Sequence, residues 1–275
     1  MGDTLEKSLS SVLNQIDDRF EVIFVDDGSS DSSLMIAERL AEKYTNLRVI
    51  SLLRENGRKL GITRNKSIEL ASGMWCIFHI DCDDEIGPHL QEFVALVEEL
   101  APLMPRDVLF SGQQIHMAKR TFLLEHGPFR NIYRGEDRDL YMRLVKNAEW
   151  IVISHKRFIK RLQRDRVRLL KKNLKDNLDQ MANDLAQKIS PIEYLKLSIS
   201  NRSTLSFQII LFRILMLPFA KVLSNKRIDL NQDDYPSHAE FVHYRSQNTK
   251  SFDEWFEFYG KKHPSKHNHG SVTEI

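Results

Sequence analysis

Along its first 111 residues this chain repeatedly sets a short apolar run after a stretch with helical apolar spacing, and that alternation is what most constrains its fold. "TLEKSLSSVLNQ" places Leu5, Leu9, Val12 and Leu13 on one helical face, with Thr4 expected as the N-cap. Strand-like "EVIFV" follows, then amphipathic "LMIAERLAEKY" and strand-like "LRVISLL". "GITRNKSIELAS" is expected as a third helix stopped by Gly73, "MWCIFHI" as a third strand, "HLQEFVALVEEL" as a fourth helix and "DVLFSG" as a fourth strand. Strands alternating with helices of this length predict a layered α/β domain with a mixed, mostly parallel sheet flanked by helices. Ligands of such sheets sit beyond the carboxyl ends of the strands. Both strongly acidic turns fall there: "VDDGSSDSS" around Asp26 and Asp27, and "FHIDCDDEIGP" around Asp81, Asp83 and Asp84.

Asp81 and Asp83 are two apart, so on an extended segment their carboxylates point the same way. Adjacent carboxylates repel unless one keeps its proton or a cation joins them. Mg²⁺ or Mn²⁺ suits such a pair, because it takes one or two carboxylates and leaves its other positions to water and phosphate oxygens. An Asp-x-Asp-Asp triplet by itself is more often a solvated acidic turn, because such triplets are common.

The remaining totals narrow the setting. A hydrophobic fraction of 41% over 275 residues supports a sizeable core, and a net charge of +2 says little as a total. Cys76 and Cys82 lie six apart on what reads as one strand, about 20 Å and beyond disulfide reach. "MGDTLEKSLSSVLNQ" has no apolar core of signal-peptide type and no myristoylation pattern, so a reduced, cytoplasmic setting is expected.

The order of "VDDGSSDSS", "ENGRKLGITRNKSIELASG", "FHIDCDDEIGP", "HMAKRTFLLEHGPF" and "YRGEDRDLYMRL" resembles the family 2 glycosyltransferases of the GT-A fold over residues 3–150. The resemblance implies an inverting, metal-dependent enzyme that uses a nucleotide-sugar donor, with Mn²⁺ or Mg²⁺ as cofactor. It places Asp26 and Asp27 against the nucleotide base and ribose, and Arg64 near the nucleotide or its diphosphate. Asp81 matches a contact to ribose or metal, and Asp83 a metal ligand. Glu136 and Asp137 match an acidic pair heading a helix that faces the acceptor, with Asp137 as general base; helix N-terminal acids are also favoured by the macrodipole alone. The sequence departs from the family in three ways. Only 51 residues separate Asp84 from Glu136, Ser67 stands where glycine is frequent, and the chain starts at a helix where the family opens with an interior strand. An N-terminally truncated, impaired domain is therefore the expectation. A non-catalytic, membrane-associated relative and a nucleotidyltransferase stay as alternatives, the latter disfavoured by the acidic pair at 136–137.

The predicted division is a GT-A domain over 1–155, a helical, basic and amphipathic region over 156–260, and a flexible tail over 261–275. Residues 156–175 hold ten Lys/Arg against one acid, Asp165, a pattern that suits an anionic membrane surface or a solvated face. No nucleic-acid module accompanies it, so no nucleic-acid partner is expected. In the apolar 205–223 stretch, Arg213, Gln208, Pro218 and Lys221 argue for an interfacial or packed helix over a membrane span. A lipid-linked or glycan acceptor at the inner face of the cell membrane, and transfer of single sugars, follow as expectations. His155 is expected as a packed or surface residue rather than a metal ligand. His263, His267 and His269 belong to the tail, and Trp150, Trp255, Phe252, Phe256 and Phe258 to packing.

Overall fold

A computed structural model describes residues 2–78, 80–127, 129–132, 134–162, 166–187, 189–200, 207–225 and 235–260. The expected tail, with its three histidines, lies outside the described residues. Helix α1 (Gly2–Leu13) leads to β1 (Val22–Asp26), α2 (Ser33–Lys43), β2 (Leu47–Ser51), α3 (Leu60–Leu70) and β3 (Trp75–Phe78). Then come β4 (Asp84–Ile86), α4 (Leu90–Leu100), β5 (Leu109–Ser111), β6 (His116–Lys119), α5 (Arg120–His126), α6 (Glu136–Val145), β7 (Trp150–Ile153) and β8 (Ile159–Arg161). The C-terminal part adds α7 (Arg166–Ala186), α8 (Pro191–Ser200), α9 (Phe207–Ser224), α10 (His238–Gln247), β9 (Thr249–Lys250) and α11 (Phe252–Phe258).

The central sheet runs β3-β6-β5-β7-β9, with β1-β2 and β4-β8 as separate pairs among the described residues. Three ladders are parallel (β1/β2, β5/β7, β7/β9) and three antiparallel (β3/β6, β5/β6, β4/β8), so the sheet is mixed, with less parallel pairing than the strand–helix alternation suggests. Each pleat sends successive side chains to opposite faces, and the two cores show it. Ile77, Met117, Phe110, Ile151 and Ile153 meet Phe93, Val97 and Leu100 of α4 on one face. Cys76, Ala118, Leu109 and Trp150 meet Phe122 of α5 and Leu140 and Leu144 of α6 on the other. Leu5, Leu9 and Leu13 of α1 pack with Phe24, Leu40 and Leu47 in a third cluster, as their helical spacing predicts.

Four expectations are corrected here. Thr4 is not an N-cap: α1 already begins at Gly2, and the Thr4 hydroxyl reaches across to the aspartate turn. Strand β3 stops at Phe78, so Cys76 and Cys82 do not share a strand, and no disulfide joins them. Phe258 is 64% exposed and is no packing anchor, unlike Trp150, Phe252, Trp255 and Phe256. The division at 155/156 does not separate two cores. Strand β9 extends the central sheet beside β7, and Phe252, Trp255 and Phe256 of α11 sit in the same cluster as Phe93. Among the described residues beyond 155, α7–α9 form a cluster of their own, around Met181, Leu185, Ile189, Tyr194 and Ala220.

Candidate active site

Three polar residues of α1 hold the aspartate turn. Thr4 Oγ1 donates to the Cys82 carbonyl at 2.9 Å, Ser8 Oγ to the Asp81 carbonyl at 3.1 Å, and Ser11 Oγ accepts from Ile86 N at 2.9 Å. Positions 4, 8 and 11 lie on one helical face, so a polar stripe beside the leucines fixes the backbone from which Asp81, Asp83 and Asp84 project. Strand β8 grips the same turn from outside, with Arg161 paired opposite Asp84 and Leu162 N donating to the Asp83 carbonyl at 2.7 Å.

The three carboxylates converge on Arg161. Its Nη1 lies 2.6 Å from Asp83 Oδ1 and 3.2 Å from Asp81 Oδ2, Nη2 lies 3.2 Å from Asp81 Oδ2, and Nε lies 3.0 Å from Asp84 Oδ1. The Arg161–Asp84 approach is an ion pair without hydrogen-bond alignment, since Asp84 Oδ1 has no hydrogen-bond partner. Burial pushes the Asp84 carboxyl up to about 6, with Arg161 opposing and Asp81 adding to the rise.

On its other side Asp81 meets Arg64 of α3, Oδ1 to Nη2 at 3.6 Å, and Arg64 Nε lies 3.1 Å from Glu136 Oε1. The same guanidinium stands over the Phe129 ring at 5.8 Å. Glu136 is buried, and burial pushes its carboxyl up to about 7; Arg64 opposes the rise and Asp137 adds to it. Asp137, in the same first turn of α6, is half-buried and accepts from Arg138 N at 2.7 Å. This turn starts from Gly135, whose φ of +76° lies in the left-handed region that favours glycine.

The segment around Arg64 also fastens the loop that precedes the acidic helix. Asn65 exchanges two 2.8 Å hydrogen bonds with the backbone of Phe129, and Gly61 approaches so closely that a Cβ would meet the Arg130 carbonyl at 1.9 Å. Helix α7 secures the other side of α6. Arg138 pairs with Asp184 at 2.7 Å, Arg134 with Asp176, and buried Asp139 meets Arg143 at 3.0 Å and the Tyr235 hydroxyl.

In the first acidic turn, Asp26 Oδ2 accepts from Gly28 N at 3.1 Å and Ser29 N at 3.0 Å, so this buried carboxylate closes its own turn. Asp27 pairs with Arg58, Nη2 to Oδ1 at 2.5 Å, and accepts from Thr63 Oγ1 at 3.2 Å. The structure thus brings Arg64, Asp81, Asp83, Glu136 and Asp137 together, while Asp26 and Asp27 belong to a turn joined to α3 through Thr63. Arg58, Asn65 and Arg161 were missed by sequence reasoning. Arg58 and Asn65 lie inside a quoted motif, whereas Arg161 is one of ten similar charges.

His155 is buried, takes a 2.8 Å hydrogen bond from Gln113 N on Nε2 and has Nδ1 2.6 Å from the Lys156 carbonyl. Both ring nitrogens are occupied by backbone, and burial holds its pKa below the usual histidine range. Among the described residues no three-ligand His/Cys/Asp/Glu cage stands ready for a metal. Asp81 and Asp83 nevertheless offer two hard oxygen donors, which is what Mg²⁺ or Mn²⁺ asks of a protein when phosphate and water complete the shell.

Comparison with known proteins places the fold in a family. Among curated proteins, the glycosyltransferase YibD of Escherichia coli K12 is 35% identical over 91 residues, 33% of this chain and 25% of that protein. The poly(ribitol-phosphate) beta-glucosyltransferase of Bacillus spizizenii is 39% identical over 87 residues, 31% of this chain and 13% of that protein. The matches therefore span a quarter or less of those relatives' lengths. Among solved structures, the mannosyltransferase PcManGT of Pyrobaculum calidifontis, in complex with GDP-Man and Mn²⁺, superposes with a TM-score of 0.52 at 13% identity over 90% of this chain and 84% of that one. Residues 1–349 of S. aureus TarS superpose with a TM-score of 0.51 at 16% identity over 90% and 88%. A sequence model described as glycosyl transferase family 2 matches residues 2–161, more than half of the chain. This chain belongs to glycosyl transferase family 2 and has the GT-A fold.

Proposed function

We propose that the chain moves a single sugar from a nucleotide-sugar to a hydroxyl acceptor, inverting the anomeric carbon. The observation that carries this reading is Arg64, whose guanidinium touches both Asp81 of the donor turn and Glu136 at the head of the acidic helix. A cation placed so links the two halves of a transfer site. Asp26, Asp27 and Arg64 are assigned to the nucleotide. Asp137 accepts the proton of the acceptor hydroxyl while that oxygen attacks the anomeric carbon. The new bond forms on the face opposite the departing diphosphate, which leaves with the electron pair of the broken bond. Glu136, bound to Arg64, sets the charge beside Asp137. Asp83 and Asp81 would hold Mn²⁺ or Mg²⁺, which when bound supplies Lewis-acid stabilisation of the leaving diphosphate. Structural neighbours in complex with UDP, and with GDP-Man and Mn²⁺, support this choice of donor and ion.

The proposal includes a lipid-linked or glycan acceptor reached at the cytoplasmic face of the membrane. Helix α9 is the one helix among the described residues long and apolar enough to cross a membrane. Its Phe207, Leu211, Ile214, Leu215, Phe219 and Val222 are exposed and share one face, while Ala220 and Ser224 are buried against the neighbouring helices. Arg213 points inward, 5.6 Å over the Tyr194 ring and 3.3 Å from Asn177 Oδ1. An exposed apolar stripe with exposed Lys221 on the same helix suits a helix lying in an anionic interface.

The test is calorimetric titration with UDP and GDP, with and without Mn²⁺. Metal-dependent binding that Asp83→Ala weakens at least a hundredfold supports the donor site; absence of binding under every condition supports a non-catalytic relative. A nucleotide-sugar panel, read by NMR at the product's anomeric centre, then tests transfer and inversion.

A further inference from the structure

We infer that Arg161 is an exchangeable counter-ion seated where the divalent cation goes, so that cation entry requires its guanidinium to leave and couples metal binding to nucleotide binding. The inference rests on the reading that Asp81 and Asp83 hold the ion. Arg161 holds Asp81 Oδ2 at 3.2 Å and Asp83 Oδ1 at 2.6 Å, so its guanidinium lies between the two carboxylates that an ion would bridge, and an ion entering there meets a like charge.

Three features make the arginine exchangeable. Its backbone is fixed independently of its side chain, because β8 pairs with β4 through Asp84 opposite Arg161 and Ile86 opposite Ile159. The side chain is 43% exposed and has a route to solvent, although the carboxylates of Asp83 and Asp84 are buried. Three carboxylates also face Arg161, and among the described residues Arg64 reaches the same cluster, shared between Asp81 and Glu136. A divalent ion brings more charge to that cluster than one guanidinium does.

A released guanidinium finds an alternative in the donor, since a diphosphate presents paired oxygens to its planar fork. Metal alone therefore competes with Arg161. Metal with nucleotide gives Arg161 a new partner and should bind with positive coupling, which linkage makes reciprocal. A purely structural arginine would show neither effect: its loss would loosen the turn and weaken every ligand.

The experiment is titration of free Mn²⁺ by EPR on wild type, Arg161→Gln, Asp83→Ala and Lys160→Gln, each alone and with UDP or GDP. Lys160→Gln is the control for charge, since Lys160 is an exposed neighbour on β8. Arg161→Gln is expected to bind Mn²⁺ alone at least tenfold more tightly than wild type or Lys160→Gln, and to lose at least threefold of the enhancement that nucleotide gives wild type. If Arg161→Gln does not fold, as judged by circular dichroism, Arg161→Lys is read the same way, because one ammonium cannot bridge three carboxylates. Unchanged or weaker Mn²⁺ binding by the Arg161 variant, with binding still abolished in Asp83→Ala, overturns the exchange and leaves the metal assignment standing. Mn²⁺ binding indifferent to Asp83→Ala, or none in any protein even with nucleotide, overturns both.

Discussion

Replacing Trp255 by alanine tests whether α11 is part of the glycosyltransferase core or an appendage to it. Trp255 is 2% exposed, packs in the cluster that holds Phe93 and Phe252, and donates its indole N–H to the Val152 carbonyl at 3.2 Å. Truncating a buried tryptophan costs about 3–5 kcal/mol, and the lost indole hydrogen bond adds about 1 kcal/mol. Against a total stability of about 5–15 kcal/mol, a loss near 4–5 kcal/mol is a large fraction. For a domain of this size it corresponds to a fall in Tm of about 8–20 °C. The comparison is Phe258→Ala on the same short helix, where an exposed ring loses edge contacts to Trp255 at 5.8 Å and Tyr259 at 5.0 Å and the Lys250 ammonium at 5.5 Å. That change should stay within about 0.5 kcal/mol. Urea unfolding monitored by circular dichroism reads both. A Trp255→Ala loss below about 1 kcal/mol, or one equal to that of Phe258→Ala, would refute the claim that α11 completes the core.

Glu136→Gln should flatten the pH dependence of stability. The native carboxyl is pushed up to about 7 by burial, whereas the unfolded one titrates near 4.5. Between those values the native state holds the extra proton, so stability falls as pH rises, by up to about 1.4 kcal/mol per unit, and levels off above about 7. Asp84, raised to about 6, acts in the same direction over a lower window and persists in the variant. Urea midpoints at pH 5, 6, 7 and 8 measure the slope, and an undiminished slope in Glu136→Gln sinks the assignment. For α9, Leu215→Glu with Phe219→Glu should reduce sedimentation with vesicles containing phosphatidylserine at least tenfold while moving Tm by less than about 2 °C, because both side chains already face solvent. Equal sedimentation would dismiss the stripe as a membrane contact.

The sequence marked its candidate residues more readily than the partners that surround them. Asp81, Asp83 and Arg64 stood out because acidic turns after apolar runs and the "TRN" segment mark strand ends and helix starts without reference to the rest of the fold. Arg161 could not stand out: within "KRFIKRLQRDRVRLLKK" nothing local separates the one arginine facing three carboxylates from those around it. The partnership of β9 with β7 was equally hidden, since two residues carry no period-2 signal and their pairing depends on a strand almost a hundred positions upstream. Thr4 misled in a different way. Its residue type suits a cap, but α1 starts earlier and the hydroxyl serves a carbonyl 78 residues away. Periodicity reports which face of a helix is apolar, and is silent about which distant backbone the polar face will satisfy.

That reach of α1 has a practical side for anyone handling the protein. Gly2 N lies 3.4 Å from Asp31 Oδ2, and even a methyl group added at Gly2 would come within 2.4 Å of the Ser32 hydroxyl. Two residues later the same helix grips the loop bearing the proposed metal-ligand aspartates. A side chain introduced at Gly2 would press on that seam, and is expected to shift apparent ion affinity with no proposed ligand altered.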